Sequence, residues 1–160
     1  MFRIGFGFDT HQLAPGRELW LGGVLIPHSV GVVGHSDADV LIHAIIDALL
    51  GAAGLPDIGS QFPDNSPEFS GINSQVLLQR TLELITQQNF TIGNIDSTLV
   101  LQSPKIAPLV PEMKRVLSQV LGISENQINV KAKTSEKLGF IGREEGVSAY
   151  AVVLLNLIDN

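Results

Sequence analysis

The chain has 160 residues, of which 44% are hydrophobic and 16% are charged, and its formal net charge is −6. This length suits a single domain, residues 1–160, built around one core. The negative charge argues against a surface that neutralises nucleic-acid phosphates, so we expect no nucleic-acid partner. Because cysteine is absent, disulfides, thiolate ligands and a cysteine nucleophile are excluded, and histidine and carboxylate side chains remain as metal ligands.

Charged residues are scarce compared with the share of about 25% in ordinary domains. Subunit contacts are depleted in charge, so an oligomer would explain this composition; a well-filled core is the alternative. The apolar stretches 40–55 and 149–158 are too short to predict a membrane span. The N-terminus shows no secretion signal, so we expect a bacterial cytoplasmic protein or, for a mature plastid form, a stromal one.

A first strand is predicted at the N-terminus, where apolar residues stand at positions 2, 4, 6 and 8 and form one face. This strand delivers Asp9 at its end. Residues 19–21 and 24–26 flank Gly22 and Gly23, a pair suited to the positive backbone angles of a tight turn. Residues 19–21 and 24–26 are therefore predicted to form a β-ribbon.

A largely apolar helix is predicted over residues 36–51, where Ser36 followed by Asp39 resembles a capping box. Asp39, His43 and Asp47 recur every four residues and therefore line one stripe of this helix. Because the rest of the helix is apolar, something polar must face the stripe.

The remaining elements alternate between helices and strands. Residues 74–88 and 108–121 predict helices, and residues 91–102, 128–133 and 147–158 predict strands. The segment 134–146 is polar, rich in glycine and longer than a hairpin needs, which indicates a functional loop. We expect an α+β fold, a two-layer sandwich with helices on one face of a mixed sheet, of the ferredoxin-like kind.

A metal site is predicted from Asp9 and His11, which lie two residues apart in extended backbone and so project to the same side. His43 would add a third ligand and leave an open position, as in catalytic zinc sites, and Asp47 would orient it. The alternatives are a chance Asp-x-His pair and a structural core histidine. His28 follows a proline beside a turn and is assigned no role.

Two segments suit phosphate. His35 and Ser36 stand at the predicted helix N-terminus, where free N–H groups favour an anion, although Ser36 alone would serve as a cap. Residues 131–137 combine cations, hydroxyls and the carboxylate Glu136, which suits phosphate oxygens and a hard cation such as magnesium. A solvated polar loop would have the same composition. Nucleotide-binding and hydrolase glycine motifs are absent, so the residues themselves predict a metal-dependent phosphate site without naming its substrate.

Longer motifs follow one another along nearly the whole chain. They are Gly7-Phe8-Asp9-Thr10-His11, Gly34-His35-Ser36-Asp37-Ala38-Asp39-Val40 with His43, Asp57-Ile58-Gly59 with Phe62-Pro63-Asp64, Gln102-Ser103-Pro104-Lys105, and Thr134-Ser135-Glu136-Lys137-Leu138-Gly139-Phe140 with Gly142-Arg143. In residue types, order and spacing the chain resembles the 2-C-methyl-D-erythritol 2,4-cyclodiphosphate synthases. Jointly these motifs are highly specific.

This resemblance implies a single catalytic domain that assembles as a homotrimer, with active sites between subunits. The implied reaction converts 4-diphosphocytidyl-2-C-methyl-D-erythritol 2-phosphate to the cyclic 2,4-diphosphate and CMP, in the non-mevalonate route to isoprenoid precursors. It also implies zinc, or another divalent cation, on Asp9, His11 and His43. A magnesium or manganese ion that bridges the diphosphate would involve Glu136.

The resemblance further implies roles for individual residues. His35 and Thr134 would be catalytic and stabilise the transition state. Substrate would be bound by Asp9, His11, His35, Ser36, Asp57, Ile58, Gly59, Phe62, Pro63, Asp64, Asn65, Ser66, Leu101, Gln102, Ser103, Pro104, Lys105, Ile106, Ala107, Lys133, Thr134, Ser135, Glu136, Phe140 and Arg143. Ser36 would contact phosphate, Asp57 and Gly59 would hold the methylerythritol portion, and the loop 62–66 would close over it. The segment 101–107 would receive the cytosine. Phe140 and Arg143 would lie near a central channel that can admit an isoprenoid diphosphate.

Lys133 and Leu101 depart from the family pattern, in which threonine and alanine are common at these positions, and both lie in nucleotide-contacting segments.

Two rival functions fit parts of the pattern. One is a metal-dependent phosphodiesterase in which the ion activates water, and the other is a trimeric nucleotide-sensing module without turnover.

Overall fold

The computed structural model describes residues 1–34, 37–63, 65–69 and 71–158. The strands are β1 (Phe2–Pro15), β2 (Leu19–Leu21), β3 (Val24–Ile26), β4 (Val30–Val33), β5 (Phe90–Val100), β6 (Ile128–Lys133) and β7 (Gly146–Leu157). The helices are α1 (Val40–Ala53), α2 (Ile58–Gln61), α3 (Ser74–Gln87), α4 (Val110–Leu121) and α5 (Gly139–Gly142), with 3-10 turns at Ala107–Leu109 and Glu125–Gln127. Within these residues, no helix combines the length and apolar character that crossing a membrane requires.

The main sheet is mixed and has the strand order β4-β1-β7-β5-β6. β1 pairs antiparallel with β4 and β7, β7 pairs antiparallel with β5, and β5 pairs in parallel with β6. β2 and β3 form a separate hairpin. The predicted α+β fold with a mixed sheet is therefore confirmed.

The ferredoxin-like arrangement is not what the chain adopts. A ferredoxin-like βαββαβ unit places its second and third strands in immediate succession. Here α4 separates β5 from β6 and carries the chain to a parallel neighbour, while the long strands β6 and β7 follow each other with only a four-residue helix between them. The period-two patterns predicted most of the strands but not β4, and they hold no information on the order in which the strands pair.

Helix α1 packs directly on the glycine face of β1. A Cβ atom added to Gly5 would lie 1.8 Å from the carbonyl oxygen of Ala48, and one added to Gly7 would lie 1.9 Å from that of Ala44. No side chain fits in that space, so glycine is required for this close approach. Asp9 and His11 continue the same face of β1 and consequently point toward α1 as well.

The opposite face of the sheet carries the apolar alternation found in the sequence. Phe2, Ile4 and Phe6 are 66%, 64% and 62% exposed, so this apolar face is not the core of the chain. β7 extends it, because Tyr150 pairs with Phe8 and their ring centroids lie 5.1 Å apart. We call the exposed apolar residues here the outer sheet face; they are Phe2, Ile4, Phe6, Phe8, Tyr150 and Val152.

Helix α1 is the centre of the core, and all of its residues are buried except His43, Asp47 and Gly51. It begins at Val40 with Asp39 as its N-cap and ends at Gly54, whose φ of 76° closes the helix in the left-handed region. The predicted start at Ser36 was therefore wrong by a turn. Asp39 is the N-cap because its carboxylate accepts hydrogen bonds from two backbone N–H groups of the first turn.

Asp39 also ties the β2–β3 hairpin to the helix. Its Oδ1 accepts hydrogen bonds from Leu41 N at 3.2 Å, Ile42 N at 3.1 Å and Gly22 N at 2.9 Å, and its Oδ2 accepts one from Gly23 N at 2.6 Å. Burial raises the pKa of Asp39, and these N–H donors oppose that rise. Asp39, the first residue of the polar stripe, therefore has a structural role, because it joins the β2–β3 hairpin to α1.

Candidate metal centre and substrate cavities

Asp9 and His11 from β1 meet His43 from α1 above the glycine face. The Oδ2 atom of Asp9 lies 3.0 Å from Nδ1 of His43 and 3.1 Å from Nδ1 of His11. The ligand atoms that the three side chains offer all lie within 4.8 Å of one another. The close packing of α1 on Gly7 is what brings the helix residue within reach of the strand residues.

The chemistry of this group fits a divalent metal ion. Nδ1 of His11 is buried and has no hydrogen-bond partner in the described part of the chain, since its contact with Asp9 lacks hydrogen-bond geometry. A buried polar atom without a partner is costly and calls for an explanation. Two imidazoles and one carboxylate are a ligand set of catalytic zinc sites, and an ion among them would satisfy His11.

The charges of the group support each other. Burial raises the pKa of Asp9, but the close contacts of its carboxylate with the imidazoles of His11 and His43 outweigh burial and lower it. Burial lowers the pKa of His43, while the hydrogen bond and charge of Asp9 outweigh burial and raise it. The negative charge of Asp9 therefore favours a positive charge at this place, which either a proton on His43 or a metal ion can supply.

The partner behind His43 is not the predicted one. Asp47 accepts a hydrogen bond from Ile58 N at 2.8 Å and so fixes the start of α2. Nε2 of His43 instead lies 2.9 Å from the hydroxyl of Ser74, the first residue of α3. No local pattern indicates this contact, because 31 residues separate the two positions.

A cavity of about 230 Å³ opens at the metal group. Three residues predicted to bind the substrate, Ile58, Gly59 and Phe62, line it together with the three candidate ligands. Asp57 caps α2 by accepting a hydrogen bond from Ser60 N at 2.8 Å, and hydrogen bonds from the side chain and then the backbone of Ser60 lower the pKa of Asp57. The prediction for residues 57–62 thus describes one short helix at the cavity wall.

Apolar residues that the sequence analysis did not single out complete this wall. Phe69, Ile72 and Leu77 line the cavity, and the ring of Phe69 stands edge-on to Phe62 at 5.4 Å. The guanidinium of Arg80 lies 5.3 Å from the Phe69 ring. These apolar side chains form no catalytic or ligand-binding motif, so the sequence did not predict their role.

A second cavity, of about 250 Å³, lies where β5 and β6 end. Most of the segment predicted to receive the cytosine lines it, namely Leu101, Gln102, Pro104, Lys105, Ile106 and Ala107, and Lys133 and Thr134 join them. Ser103 belongs to the same turn but not to this lining. Oε1 of Gln102 accepts a hydrogen bond from Lys137 N at 3.1 Å, which joins this turn to the loop after β6.

The loop after β6 holds the predicted catalytic threonine. The hydroxyl of Thr134 donates to Oε1 of Glu136 at 3.0 Å, and Ser135 donates to the carbonyl of Leu138. Glu136 and Lys137 have φ values of 53° and 65°, which bend the chain sharply here. Glu136 lies outside the group of Asp9, His11 and His43.

The two cavities lie at different strands of the sheet, one beside β1 and the other at the ends of β5 and β6. Asp9 pairs with Ala149, Ala149 with Leu99, and Leu99 with Ala132, so three strand spacings separate β1 from β6 at this level. At about 4.8 Å per spacing, the metal group and the start of the Thr134 loop lie about 14 Å apart. One chain does not bring Thr134 to the metal group.

Several predicted residues lie elsewhere. His35, Ser36 and Asp64 fall outside the described residues. Pro63, Asn65 and Ser66 lie in the turns after α2 that Phe62 begins, and Ser66 N donates to the carbonyl of Pro63 at 2.9 Å. Phe140 is 43% exposed on α5, and Arg143 forms an ion pair with Glu145 at 2.9 Å; neither lines the two cavities.

The fold and the site together define a class of protein: an α+β protein in which helices pack on one face of a mixed sheet and a cavity opens at an Asp-His-His group that could hold a metal ion. The model of the YgbB family matches residues 2–156. Known proteins extend this match over nearly the whole chain.

A Bacteroides fragilis protein named 2-C-methyl-D-erythritol 2,4-cyclodiphosphate synthase is 57% identical over 156 residues, which cover 98% of each chain. The synthase of Porphyromonas gingivalis is 58% identical over 154 residues, 96% of this chain and 95% of that protein. A solved synthase structure with bound CDP has 40% identity and a TM-score of 0.90, over 96% of this chain and 100% of that one. The chain therefore belongs to the 2-C-methyl-D-erythritol 2,4-cyclodiphosphate synthase family.

Proposed function

We propose that this enzyme converts 4-diphosphocytidyl-2-C-methyl-D-erythritol 2-phosphate to 2-C-methyl-D-erythritol 2,4-cyclodiphosphate and CMP, in the non-mevalonate route to isoprenoid precursors. Membership of the family supports the reaction. The observation that carries the proposal to this chain is the group of Asp9, His11 and His43 at the mouth of a cavity.

Asp9, His11 and His43 are the proposed ligands of a zinc ion. The buried Nδ1 of His11, which lacks a partner among the described residues, supports this assignment. The carboxylate of Glu136 is the proposed contact to a magnesium or manganese ion on the diphosphate, because hard cations prefer oxygen ligands. When bound, such cations supply Lewis acidity that offsets the negative charge of the phosphates.

The first cavity is the proposed seat of the methylerythritol portion. Ile58, Gly59 and Phe62 offer an apolar wall beside the metal group, which suits a branched carbon chain that carries phosphate groups at its 2- and 4-positions. Asp57, Pro63, Asn65 and Ser66 are the proposed rim of this seat. His35, Ser36 and Asp64 are assigned here by family resemblance.

The second cavity is the proposed seat of the cytidine. Its wall is mostly apolar and suits a flat base, while Lys105 and Lys133 offer cations to phosphate oxygens. Leu101 and the other residues of the 101–107 turn would surround the base. CDP in a solved relative supports this assignment.

In the proposed reaction, an oxygen of the 2-phosphate attacks the β-phosphorus, and the bond between that phosphorus and the bridging oxygen of CMP breaks. The attacking phosphate is already anionic, so it needs alignment more than it needs a base. Well-aligned intramolecular reactions reach effective molarities of about 10⁵ M or more. The hydroxyl of Thr134 and the side chain of His35 are the proposed donors to the charge that develops on the phosphoryl oxygens.

A complete site is proposed to form between two copies of the chain. The distance of about 14 Å across the strands separates the metal group from the Thr134 loop in one copy, yet both must reach one diphosphate. A second copy that presents its Thr134 loop to the metal group of the first removes this conflict. Family membership supports three copies arranged in a ring.

The outer sheet face is the proposed centre of this homotrimer. Its residues, defined above, are large, apolar and exposed in the single chain. Monomeric proteins rarely expose contiguous apolar patches of this kind. Phe140 and Arg143 are assigned, by family resemblance, to a central channel that would admit an isoprenoid diphosphate.

Phosphorus NMR tests the proposed reaction. Purified protein with magnesium is incubated with the cytidine-diphosphate-linked substrate, with and without a chelator, and His43→Ala protein serves as the matched control. We expect CMP and a cyclic diphosphate in the wild-type sample only, and no product with chelator. A linear product with oxygen from labelled water would indicate a phosphodiesterase instead. Stoichiometric binding without any product would indicate a nucleotide-binding module.

A further inference from the structure

The imidazole of His43 is held at both of its nitrogens. Nδ1 lies 3.0 Å from Oδ2 of Asp9, on the side of the metal group, and Nε2 lies 2.9 Å from the hydroxyl oxygen of Ser74. Ser74 is fully buried. Its hydroxyl donates a short hydrogen bond to Oδ1 of Asp37, and its backbone N–H donates to Oδ2 of the same carboxylate at 3.0 Å.

The direction of these hydrogen bonds follows from the number of protons available. An ionised carboxylate only accepts hydrogen bonds, so the single hydroxyl proton of Ser74 points to Asp37. The oxygen of Ser74 can then only accept from His43, and the donor is a proton on Nε2. In neutral His43 this leaves Nδ1 with its lone pair free, directed toward Asp9 and His11.

We propose that Ser74 and Asp37 are positioning residues that fix the metal-binding tautomer of His43. They hold the proton on Nε2 and thereby reserve Nδ1 for the ion; this inference rests on the proposed metal site. Partners of this kind, which accept the second N–H of a ligand histidine, orient the ring and raise its basicity. The three residues come from separate parts of the chain, and only the fold unites them.

The cap of α3 does not require the Ser74 hydroxyl. Asn73 is the N-cap residue, and its Oδ1 accepts the hydrogen bond from Gln75 N at 2.7 Å. Asp37 already binds the backbone N–H of Ser74, which is independent of the side chain. Loss of the hydroxyl therefore removes the link to His43 and leaves the helix start in place.

The test compares Ser74→Ala with Ser97→Ala, which removes an equally buried hydroxyl that donates to the carbonyl of Asn129 at 2.8 Å. Zinc affinity is measured by competition with a chromophoric chelator. We expect Ser74→Ala to weaken zinc binding by about 10- to 100-fold, the range for loss of such a partner, and Ser97→Ala to leave it unchanged. Asp37→Asn, which keeps the shape of the side chain, should weaken it in the same direction.

Nitrogen NMR of histidine-labelled, zinc-loaded protein supplies an independent readout. We expect His43 of the wild type to carry its proton on Nε2 and to bind zinc through Nδ1. Equal zinc affinity of Ser74→Ala and Ser97→Ala, or zinc on Nε2 of His43, would overturn this inference alone. Failure of the wild-type chain to bind zinc would overturn the proposed metal site and the inference with it.

Discussion

At the scale of single residues, His43 is the point where three parts of the fold meet. It stands on α1, contacts Asp9 of β1 through one nitrogen, and contacts Ser74 of α3 through the other. Each contact depends on an exact approach of two elements. A change at this position therefore affects metal binding far more than it affects the core.

We expect His43→Ala to lower the zinc content to a small fraction of the wild-type value and to reduce turnover to near the detection limit. The reason is that two remaining ligands hold a zinc ion poorly. Elemental analysis of the purified protein measures the metal, and His28→Ala is the matched control, since His28 has no assigned role. An unchanged zinc content in His43→Ala would contradict the three-ligand site.

Protons and zinc compete for His43. Asp9 raises the pKa of His43 above its ordinary value of 6.5, although burial opposes this rise. The metal-bound state needs the deprotonated nitrogen, so we expect zinc affinity to fall as the pH drops through that raised pKa. Chelator competition at a series of pH values measures this dependence. Zinc affinity that stays constant through this range would be inconsistent with His43 as a ligand.

In the metal-free protein, the contribution of His43 to the free energy of unfolding should decrease as the pH rises, whereas zinc affinity should increase. Protonated His43 paired with Asp9 stabilises the fold fully below pH 6.5, and this contribution is lost as the pH rises through the raised folded pKa. Wild-type and His43→Ala proteins are freed of metal with a chelator, and urea denaturation measures their free energies of unfolding at each pH. The advantage of the wild type should shrink as the pH rises, and an advantage independent of pH would argue against the ion pair.

At the scale of elements, the contact between α1 and β1 decides where the metal site forms. Gly5 and Gly7 leave no room for a side chain beneath the helix. Gly51 lies on the same helix but is exposed, and the nearest atom to an added Cβ there is 4.0 Å away. The two kinds of glycine should respond to substitution in opposite ways.

We expect Gly7→Ala to lower the free energy of unfolding by about 3 kcal/mol or more, because its Cβ would collide with the backbone of Ala44 and force the helix away. Gly51→Ala is the matched control and should raise stability by about 0.5 to 1 kcal/mol through lower flexibility of the unfolded chain. Urea denaturation measures both. A Gly7→Ala protein as stable as the wild type would show that α1 can move without cost.

Local patterns predicted the elements well and their mutual arrangement less well. The period of two identified β1, but it could not tell that the phenylalanine side faces outward and the glycine side faces the helix. The resemblance brought Asp9, His11 and His43 together correctly as a group that could bind a metal. Ser74 was not predictable as the partner of His43, because hydrogen bonds between distant residues leave no local pattern.

At the scale of the whole molecule, the outer sheet face and the separated cavities call for the same explanation. The apolar face is exposed in the single chain, and the proposed reaction brings the metal group and a Thr134 loop to one diphosphate, although about 14 Å separates them within one chain. The proposed assembly of several copies accounts for both.

We expect Phe6→Glu to convert the proposed trimer into folded monomers, because it places a charge within the proposed contact, where an unpaired buried charge is costly. Sedimentation velocity measures the assembly state. Val76→Glu, at an exposed apolar residue on α3, is the matched control and should remain trimeric. A trimeric Phe6→Glu protein would rule out the outer sheet face as the contact, and a monomeric wild type would rule out the trimer.

Recovery of activity in mixed trimers tests the two-copy active site most directly. His43→Ala and Thr134→Ala subunits are co-expressed at equal levels with different tags, and mixed trimers are isolated and assayed by phosphorus NMR for the cyclic diphosphate. Each variant alone should make very little product. A mixed trimer contains two subunits of one variant and one of the other, so one of its three sites pairs an intact metal group with an intact Thr134 loop, and activity should recover to about one third of the wild-type value. No recovery in verified mixed trimers would contradict a site shared between two chains.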